Sequence, residues 1–260
     1  MNMFAEERKA VILKLMESGK PVKVGDLSQR FEVSESTVRR DLQELEDGGL
    51  IQRTHGGAIS VQSGFELSYQ EKEIRFLEEK QKIAKAAVEL VKEGETVFLD
   101  AGTTTLQIAY GLRGKPITVA TNSMDIAEVF AEDAQVEVIV LGGSLRKNTR
   151  SLVGYLTNEM LANLHFDKVF LAANAVDIDL GVSTPNLMEA ETKRHMVRAG
   201  KEVILVVDHS KLWEKAMCKI CSLSEIDILL TDEGIEEADI KKVSQYVQVQ
   251  IAAQAEGMDI

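Results

Sequence analysis

The alternation of apolar and polar positions over the first sixty residues predicts short helices followed by a hairpin. Residues 5–17 place apolar side chains at helical spacing, and a shorter helix is predicted near residues 24–31. A third helix is predicted between Ser34, a favourable N-cap, and the glycine pair at 48–49. The stretch LIQRTHGGAIS, residues 50–60, then alternates like a short hairpin around two glycines. This order of elements is typical of a winged helix.

The third predicted helix combines one narrow apolar face with a polar surface suited to reading DNA. Val38, Leu42 and Leu45 repeat at helical spacing, which leaves small hydroxyls and arginines on the other sides. The first turns of such a helix can reach base edges in the major groove, while arginines bind guanine or phosphate. The wing would add further contacts. The candidate DNA-binding residues are Ser36, Thr37, Arg39, Arg40, Arg53 and His55. The alternative, from spacing alone, is a helical cap whose arginines are merely solvated.

From residue 78 onwards, short apolar strands alternate with helical segments, as in EEKQKIAKAAVELVKEG followed by TVFLD. Alternation of this kind predicts a parallel sheet covered by helices on both faces. The sequence therefore predicts an α/β protein. An N-terminal winged helix–turn–helix spans residues 3–60, with the helix–turn–helix at about 22–41, and a larger C-terminal α/β domain with a mainly parallel sheet spans residues 78–253. Residues 61–77 are polar and charged and are interpreted as a linker that leads into a helix.

The stretch VFLDAGTTTLQIA, residues 97–109, predicts an anion site. A buried strand ends at Asp100, and a turn of one glycine and three threonines opens the next helix. Free backbone N–H groups and the positive end of the helix dipole meet at such a turn, and threonine hydroxyls add donors. A simple helix cap is the alternative, but this turn exceeds what a cap needs. The residues expected to hold a phosphate are Gly102, Thr103, Thr104 and Thr105, with Asp100 orienting the loop or a sugar hydroxyl.

Further candidates follow strands whose carboxyl ends should meet at the same edge of the sheet. Asn122 ends one strand and could bind sugar hydroxyls. Gly142 and Gly143 could let a ligand approach the backbone, or could only turn the chain. Lys80, at a helix start, and Lys211, past a strand end, have the reach to neutralise a phosphate, although most surface lysines do nothing specific.

Charge narrows the range of partners. The 260-residue chain has a formal net charge of -12, but its first sixty residues carry nine basic against ten acidic side chains, whereas the rest carries 21 against 32. Any DNA contact must therefore come from local basic groups in the N-terminal part, and one such domain has too little positive surface for tight binding alone. A homodimer or homotetramer that reads a two-fold symmetric operator is expected.

Composition also excludes several classes of protein. No apolar run approaches the roughly 20 residues of a membrane span, and the N-terminus lacks the basic-then-apolar order of a secretion signal. A cytoplasmic protein without membrane contact is expected. Cys218 and Cys221 form a C-x-x-C without a second ligand pair, so no metal site is predicted, and no cofactor is expected either.

The segment VSESTVRRDLQELEDGGLIQRTHGGA closely resembles the DNA-binding segment of the DeoR family of bacterial transcription regulators. LDAGTTT, TNS at 121–123, LGG at 141–143 and DHSK at 208–211 follow in the family's order, so the resemblance covers nearly the whole chain. It implies a winged helix–turn–helix followed by a sensor domain for a phosphorylated sugar or related metabolite. The implied partners are double-stranded operator DNA and a phosphorylated sugar effector, and the implied function is repression of a carbohydrate-utilisation operon.

The C-terminal part is also similar to the fold of ribose-5-phosphate isomerase and glucosamine-6-phosphate deaminase, which keeps an enzyme open as the alternative. The isomerase's start has a lysine that matches Lys80, and its acidic turn corresponds to residues 172–176, which read Ala-Ala-Asn-Ala-Val here. Its catalytic glutamate falls near Lys193, which therefore joins the candidate effector-binding residues. The loss of these proton-transfer groups favours sensing, and no catalytic residue is assigned. The carboxylates that could still supply a displaced base are Asp177, Glu189 and Glu191.

Overall fold

The computed structural model describes residues 4–16, 22–47, 50–54, 56–60 and 69–252 of the chain. The chain divides into two compact units, Met1–Arg75 and Phe76–Ile260. Three features named from the sequence lie wholly or partly outside the described residues: His55 of the wing, the glycine pair at 48–49 and residues 61–68 of the predicted linker.

The N-terminal unit combines helices with a small antiparallel sheet. Its elements are α1 (Ala5–Met16), β1 (Val22–Lys23), α2 (Val24–Phe31), α3 (Glu35–Asp47), β2 (Ile51–Thr54), β3 (Gly57–Ser60) and α4 (Tyr69–Ile74). β2 and β3 form the predicted hairpin, and β1, which the sequence pattern does not predict, pairs with the other side of β3. The predicted helix–turn–helix, formed by α2 and α3 and followed by a wing, is confirmed.

One hydrophobic cluster holds the three N-terminal helices together. Ile12 of α1 and Leu27 of α2 are buried in it together with the narrow apolar face of α3, formed by Val38, Leu42 and Leu45. Since this face is buried, the other sides of α3 remain available to a partner.

The C-terminal unit alternates strands and helices along most of its length. Its elements are α5 (Leu77–Glu89), β4 (Thr96–Leu99), α6 (Thr103–Leu112), β5 (Ile117–Thr121), α7 (Met124–Val129), β6 (Val136–Val140), β7 (Ser144–Arg146), β8 (Ser151–Val153), α8 (Tyr155–Ala162), β9 (Phe166–Leu171), β10 (Ala175–Asp177), β11 (Gly181–Thr184), α9 (Leu187–Ala199), β12 (Gly200–Val206), β13 (Cys218–Cys221), β14 (Ile228–Asp232), α10 (Glu237–Val243) and β15 (Gln248–Ala252). A short 3-10 turn, His209–Lys211, follows β12.

The main sheet has seven strands in the order β15-β14-β12-β9-β4-β5-β6, and every pairing in it is parallel. The predicted α/β domain with a mainly parallel sheet is therefore confirmed. Two additions are not predicted by the sequence pattern. β15 extends the sheet at one edge, and a second, antiparallel sheet is formed by β10, β11 and β13. A separate hairpin, β7–β8, follows the glycine pair at 142–143.

The strand order reverses at the centre of the main sheet. From β4 the chain proceeds outward through β5 to β6, whereas β9, on the other side of β4, continues through β12 and β14 to β15. The rings of Phe98 in β4 and Phe166 in β9 pack with their centroids 5.2 Å apart. Open parallel sheets bind ligands beyond the carboxyl ends of the strands at such a reversal point. The loop after β4, which contains Asp100 and the threonines, begins there.

Candidate functional site

Helix α3 starts with a network of hydroxyl groups. The hydroxyl of Ser34 accepts a hydrogen bond from the backbone N–H of Thr37 at 3.2 Å, as expected of an N-cap, and lies 2.7 Å from the hydroxyl of Ser36. Ser36 is exposed and Thr37 is half-buried. The first turn of α3 therefore presents small polar side chains on a capped, ordered helix end.

Arg39 and Arg40 follow on the exposed side of α3. The side chain of Arg39 is 50% exposed and pairs with Glu35 at 3.1 Å, and that of Arg40 is 81% exposed and pairs with Glu44 at 3.2 Å. Exposed pairs one helical turn apart contribute little to stability. Both guanidinium groups can therefore exchange these carboxylates for a phosphate or a base edge.

The wing strand β2 is fastened to α3 through Arg53. Its backbone N–H donates to Glu46 at 2.8 Å, and its guanidinium group contacts Gln43 and lies 3.9 Å from Glu46. Arg53 is thus placed beside the helix that carries Arg39 and Arg40. The structure brings together five of the six candidate DNA-binding residues in one unit; the sixth, His55, lies outside the described residues.

A buried ion pair that the sequence pattern does not reveal fixes the position of α3. The guanidinium group of Arg8 in α1 donates to both carboxylate oxygens of Asp41, at 2.7 and 3.1 Å. The Asp41 carboxylate raises the pKa of Arg8 still further through this hydrogen bond. The pair joins α3 to α1.

The predicted anion loop connects β4 to α6. Helix α6 begins at Thr103, and its N-cap residue, Gly102, has no side chain with which to cap it. The hydroxyl of Thr105 is used within the loop, since it donates to the carbonyl oxygen of Asp100 at 2.6 Å. A side chain at position 102 would lie 2.8 Å from the Cβ of Ala172, so Gly102 allows the loop to pass close to the end of β9.

Asp100 and Lys193 join the ends of β4 and β9 to α9. The Oδ2 atom of Asp100 accepts a hydrogen bond from the backbone N–H of Ala172 at 3.0 Å and contacts the ammonium group of Lys193, which also donates to the carbonyl oxygen of Ala172 at 3.0 Å. Burial raises the pKa of Asp100, and the charge of Lys193 opposes that rise. Lys193 thus forms an ion pair beside the anion loop.

A pocket opens next to this pair. The polar residues that line it are Asp100, Asn122, Ser151, Glu189, Thr192 and Lys193. The side-chain amide of Asn122 is engaged at both ends. Its oxygen accepts from the N–H of Ala101 at 3.1 Å, and its nitrogen donates to the carbonyl oxygen of Leu152 at 3.0 Å. Asn122 therefore braces the pocket wall between the anion loop and strand β8.

Glu189, in the first turn of α9, links the pocket to the β7–β8 hairpin. Its Oε1 atom accepts from the hydroxyl of Thr149 at 2.6 Å and from Arg146 at 3.3 Å, and its Oε2 atom accepts from Thr184 at 3.2 Å. Arg146 and Thr149 are absent from the sequence-based candidates. The polar stretch SLRKNTRS directly after Gly142-Gly143 is the signal in the sequence that could have drawn attention to them.

The remaining candidates lie around this centre. A side chain at Gly143 would lie 2.1 Å from the hydroxyl of Thr157, which donates to the carbonyl oxygen of Gly142 at 2.7 Å. Gly143 thus lets helix α8 approach the start of the hairpin, whereas a side chain at Gly142 would meet no atom within 4 Å. Lys80 is buried in α5, and Lys211 lies in the turn after β12, where its ammonium group donates to Ser210 at 3.2 Å. Neither lysine lines the pocket described above.

Of the three carboxylates named as possible displaced bases, Glu189 alone lines the pocket. The pKa of Asp177 is lowered because the carboxylate accepts from the N–H groups of Leu180 and Asp179 and pairs with Lys215 at 3.2 Å. Glu191 is half exposed and pairs with Arg194. Asp177 therefore organises a turn, and Glu191 remains at the surface.

The cysteines do not line this pocket. Cys218 and Cys221 are both buried in β13 as free thiols, and burial raises the pKa of Cys221 to about 12. Within the described ranges, no group of three or more His, Cys, Asp or Glu side chains is placed to hold a metal ion. In the same part of the chain, no helix has the length and apolar character needed to cross a membrane.

Comparison with known proteins agrees with this two-part organisation. Residues 8–64 match the family model of the DeoR-like helix-turn-helix domain, and residues 75–233 match that of the DeoR C terminal sensor domain. The chain is 42% identical over 243 residues to the HTH-type transcriptional regulator GlpR of Haloferax volcanii. The matched residues make up 92% of this chain and 94% of that protein. It is 36% identical over 243 residues to the lactose phosphotransferase system repressor of Staphylococcus epidermidis. This match covers 92% of this chain and 96% of that repressor.

Among solved structures, ribose 5-phosphate isomerase A from Methanocaldococcus jannaschii is similar over 52% of this chain and 54% of that chain, with 19% identity and a TM-score of 0.38. A likeness of that extent says nothing about activity.

Proposed function

Because the chain belongs to the DeoR family of transcription regulators, we propose that it represses a carbohydrate-utilisation operon and that a phosphorylated sugar or related metabolite controls its binding to operator DNA. The family is one of transcription regulators and not of enzymes, so the isomerase alternative falls away. A similar protein, the lactose phosphotransferase system repressor of Staphylococcus epidermidis, supports the link to sugar metabolism. A repressor works beside the chromosome, hence in the cytoplasm.

The observation that carries the DNA-binding half of this proposal is the exposed side of α3. Arg39 and Arg40 lie on this side, and each forms an exposed ion pair that costs little free energy to break. Ser36 and Thr37 occupy the first turn of the helix. The buried pair of Arg8 and Asp41 joins the helix to α1. A helix presented in this way suits the major groove, where its first turns meet base edges.

The effector half of the proposal rests on the loop after β4. Its position at the reversal point of the sheet, its glycine and its uncapped helix start together suit a phosphate group. Thr103 and Thr104 would add hydroxyl donors, and Lys80 and Lys211 are candidates to add positive charge. Asp100, Asn122 and Lys193, which line the small pocket beside the loop, are candidates to contact the rest of the sugar.

We further propose that the repressor binds DNA as a homodimer or homotetramer. The nearly neutral N-terminal part offers few cations beyond Arg39, Arg40 and Arg53 near the reading helix, and specific affinity of the usual strength requires more phosphate contacts than these supply. Two copies of α3 that read two half-sites meet this requirement.

Selection of binding sites from random duplex DNA by the full chain tests the proposal. The expected product is a two-fold symmetric sequence whose half-sites are separated by about 10–10.5 base pairs or a multiple of that spacing. Light scattering on the selected complex should show at least two copies of the chain on each duplex. Enrichment of no sequence above background would contradict a DNA-binding function, and a single copy on the duplex would contradict the oligomer.

A further inference from the structure

We infer that the starts of helices α8 and α9 form the surface through which two copies of this chain associate. The inference rests on the proposed oligomer and adds to it the surface that the copies share. The partner that fits this surface is a second copy of the chain, placed so that the same helix starts meet.

Large apolar side chains are exposed at both helix starts. Tyr155 and Leu156, in the first turn of α8, are 74% and 64% exposed. Leu187 and Met188, in the first turn of α9, are 64% and 49% exposed. Single exposed apolar residues are ordinary on protein surfaces, whereas a group of them marks an interaction site. These four residues are called the α8–α9 patch below.

The two helix starts are held side by side. The backbone N–H of Gly154, which precedes α8, donates to the hydroxyl of Thr192 in α9 at 3.3 Å. That hydroxyl in turn donates to the side-chain oxygen of Asn158 in α8 at 2.8 Å. A Cβ atom at Gly154 would lie 3.2 Å from the Cε atom of Met188. The apolar side chains of the patch therefore lie on adjacent first turns of two packed helices.

The segments that carry the patch are free of charge in a chain that is rich in it. Neither residues 151–158, SLVGYLTN, nor residues 181–188, GVSTPNLM, include an acidic or a basic side chain. Beyond residue 60 the chain carries 21 basic against 32 acidic side chains, so two copies repel each other on average over this part. The copies can approach most closely where acidic side chains are missing.

The composition of the patch fits a protein surface of the same kind. Tyrosine and methionine are enriched at the centres of protein–protein interfaces, where lysine, glutamate and aspartate are depleted. DNA and anionic lipid surfaces both attract basic side chains, which these two segments lack. A second copy of the chain supplies a matching apolar and uncharged surface, and a two-fold axis places one patch against the other.

The next turn of α9 would form part of the rim of this interface. Glu191 and Arg194 pair there at 2.6 Å and are both partly exposed, so together they add no net charge. A stable interface buries about 800 Å² on each partner, with an apolar core inside a polar rim. The α8–α9 patch would supply the core.

The patch also borders the pocket described above. Met188 directly precedes Glu189, and Tyr155 follows two positions after Val153, and both Glu189 and Val153 line the pocket. The first turn of α9 would thus belong to the interface and to the wall of the pocket at once.

Two substitutions place a charge in the patch, and a third serves as the matched control. Leu156→Glu and Leu187→Glu should each weaken self-association of the full chain at least about 100-fold, because in a two-fold interface each change occurs twice and like charges then face each other. Tyr110→Glu adds the same charge at a side chain that is 52% exposed in the last turn of α6, where the helix leads into β5 at the amino edge of the sheet. It should leave self-association unchanged.

Sedimentation velocity over a range of concentrations, on the full chain without DNA, measures self-association. Thermal unfolding should show that each variant is as stable as the wild type, since all three positions are exposed; if one patch variant fails to fold, the other decides. Leu156→Lys should also weaken association on its own. An equimolar mixture of Leu156→Glu and Leu156→Lys should associate at least about tenfold more tightly than either variant alone, because opposite charges then face each other.

The outcomes separate the surface from the oligomer. Wild-type self-association in folded Leu156→Glu and Leu187→Glu would overturn the surface while leaving the proposed oligomer in place. An equal loss in Tyr110→Glu would also overturn it, since added negative charge at any position would then suffice. A mixture that associates no better than its components would overturn the pairing of patch with patch. A wild type that is monomeric both free and on its selected operator would reject the proposed oligomer as well.

Discussion

Lys193 and Asp100 form a buried ion pair at the point where the strand order of the main sheet reverses. The pair joins α9 to the loop after β4, and the backbone N–H and carbonyl groups of Ala172 complete it from the end of β9. Lys193 thus neutralises the Asp100 carboxylate beside the expected phosphate site.

Removal of one member of this pair should destabilise the C-terminal unit strongly. Lys193→Met leaves the buried Asp100 carboxylate without its cation, for which the expected loss is about 3–5 kcal/mol of unfolding free energy. The double variant Asp100→Asn with Lys193→Met should lose clearly less, because no unpaired charge remains.

Urea denaturation, monitored by tryptophan fluorescence, measures this loss of unfolding free energy. The chain has one tryptophan, Trp213, which lies in the C-terminal unit, so the signal reports that unit alone. A double variant as unstable as the Lys193→Met variant would show that packing, and not the charge pair, explains the loss.

Arg39 and Arg40 should dominate the contacts with DNA. Alanine at whichever arginine makes a bidentate base contact should cost about 1–3 kcal/mol and relax specificity at that base. Alanine at an arginine that contacts phosphate should weaken binding to all sequences alike. Gel-shift titrations against the selected operator distinguish these cases.

Lys14→Ala serves as the matched control, since it removes one exposed positive charge from α1 of the same unit. It should change operator affinity far less than either arginine variant. Unchanged affinity in both Arg39→Ala and Arg40→Ala would remove the exposed side of α3 from the DNA-binding surface.

The C-x-x-C pair should be inert in the folded chain. Cys218 and Cys221 are buried, and a pKa of about 12 for Cys221 leaves almost none of its thiolate at pH 8. Reaction of the native chain with a thiol reagent such as 5,5′-dithiobis(2-nitrobenzoate) should be very slow. In urea, the same reaction should release two equivalents of thionitrobenzoate per chain. Rapid native labelling of both cysteines would instead indicate a reactive, exposed pair.

The sequence pattern predicts those parts of the fold whose signals are local. Central strands such as β12 are buried on both faces and therefore appear as continuous apolar runs. β15, with the sequence QVQIA, alternates polar and apolar residues at the edge of the sheet, and β1 has only two residues. β7 and β8 have three residues each. Such short segments carry too little pattern to be recognised on their own, and their identity as strands depends on the neighbouring strand that pairs with them.

In the candidate site, too, the sequence reveals the residues whose signal is local and not the contacts that depend on packing. The residues from Asp100 to Thr105 are contiguous, so their chemistry is visible in one stretch of sequence. The contact between Glu189 and Thr149 joins residues 40 positions apart and depends on how α9 packs against a hairpin. Asn122 lines the pocket, and the structure shows its amide engaged with the backbone of Ala101 and Leu152. The use of a polar group depends on its neighbours in three dimensions.

The central claim is that a sugar phosphate bound at the loop after β4 controls operator binding. The most direct test measures the operator dissociation constant of the wild type and of Thr104→Asp, each with and without a sugar phosphate. The sugar phosphate is the one that binds the wild type most tightly in calorimetric titrations of hexose and pentose phosphates. Thr104→Asp places a carboxylate where the phosphate is expected. Thr104→Asn introduces a side chain of the same size as aspartate but without the charge. The wild type and Thr104→Asn should change operator affinity by about 5–150-fold when the ligand is added. Thr104→Asp should bind the operator as the wild type does without ligand and show no change with it. A wild-type response in Thr104→Asp would show that this loop is only a helix start and would contradict the account.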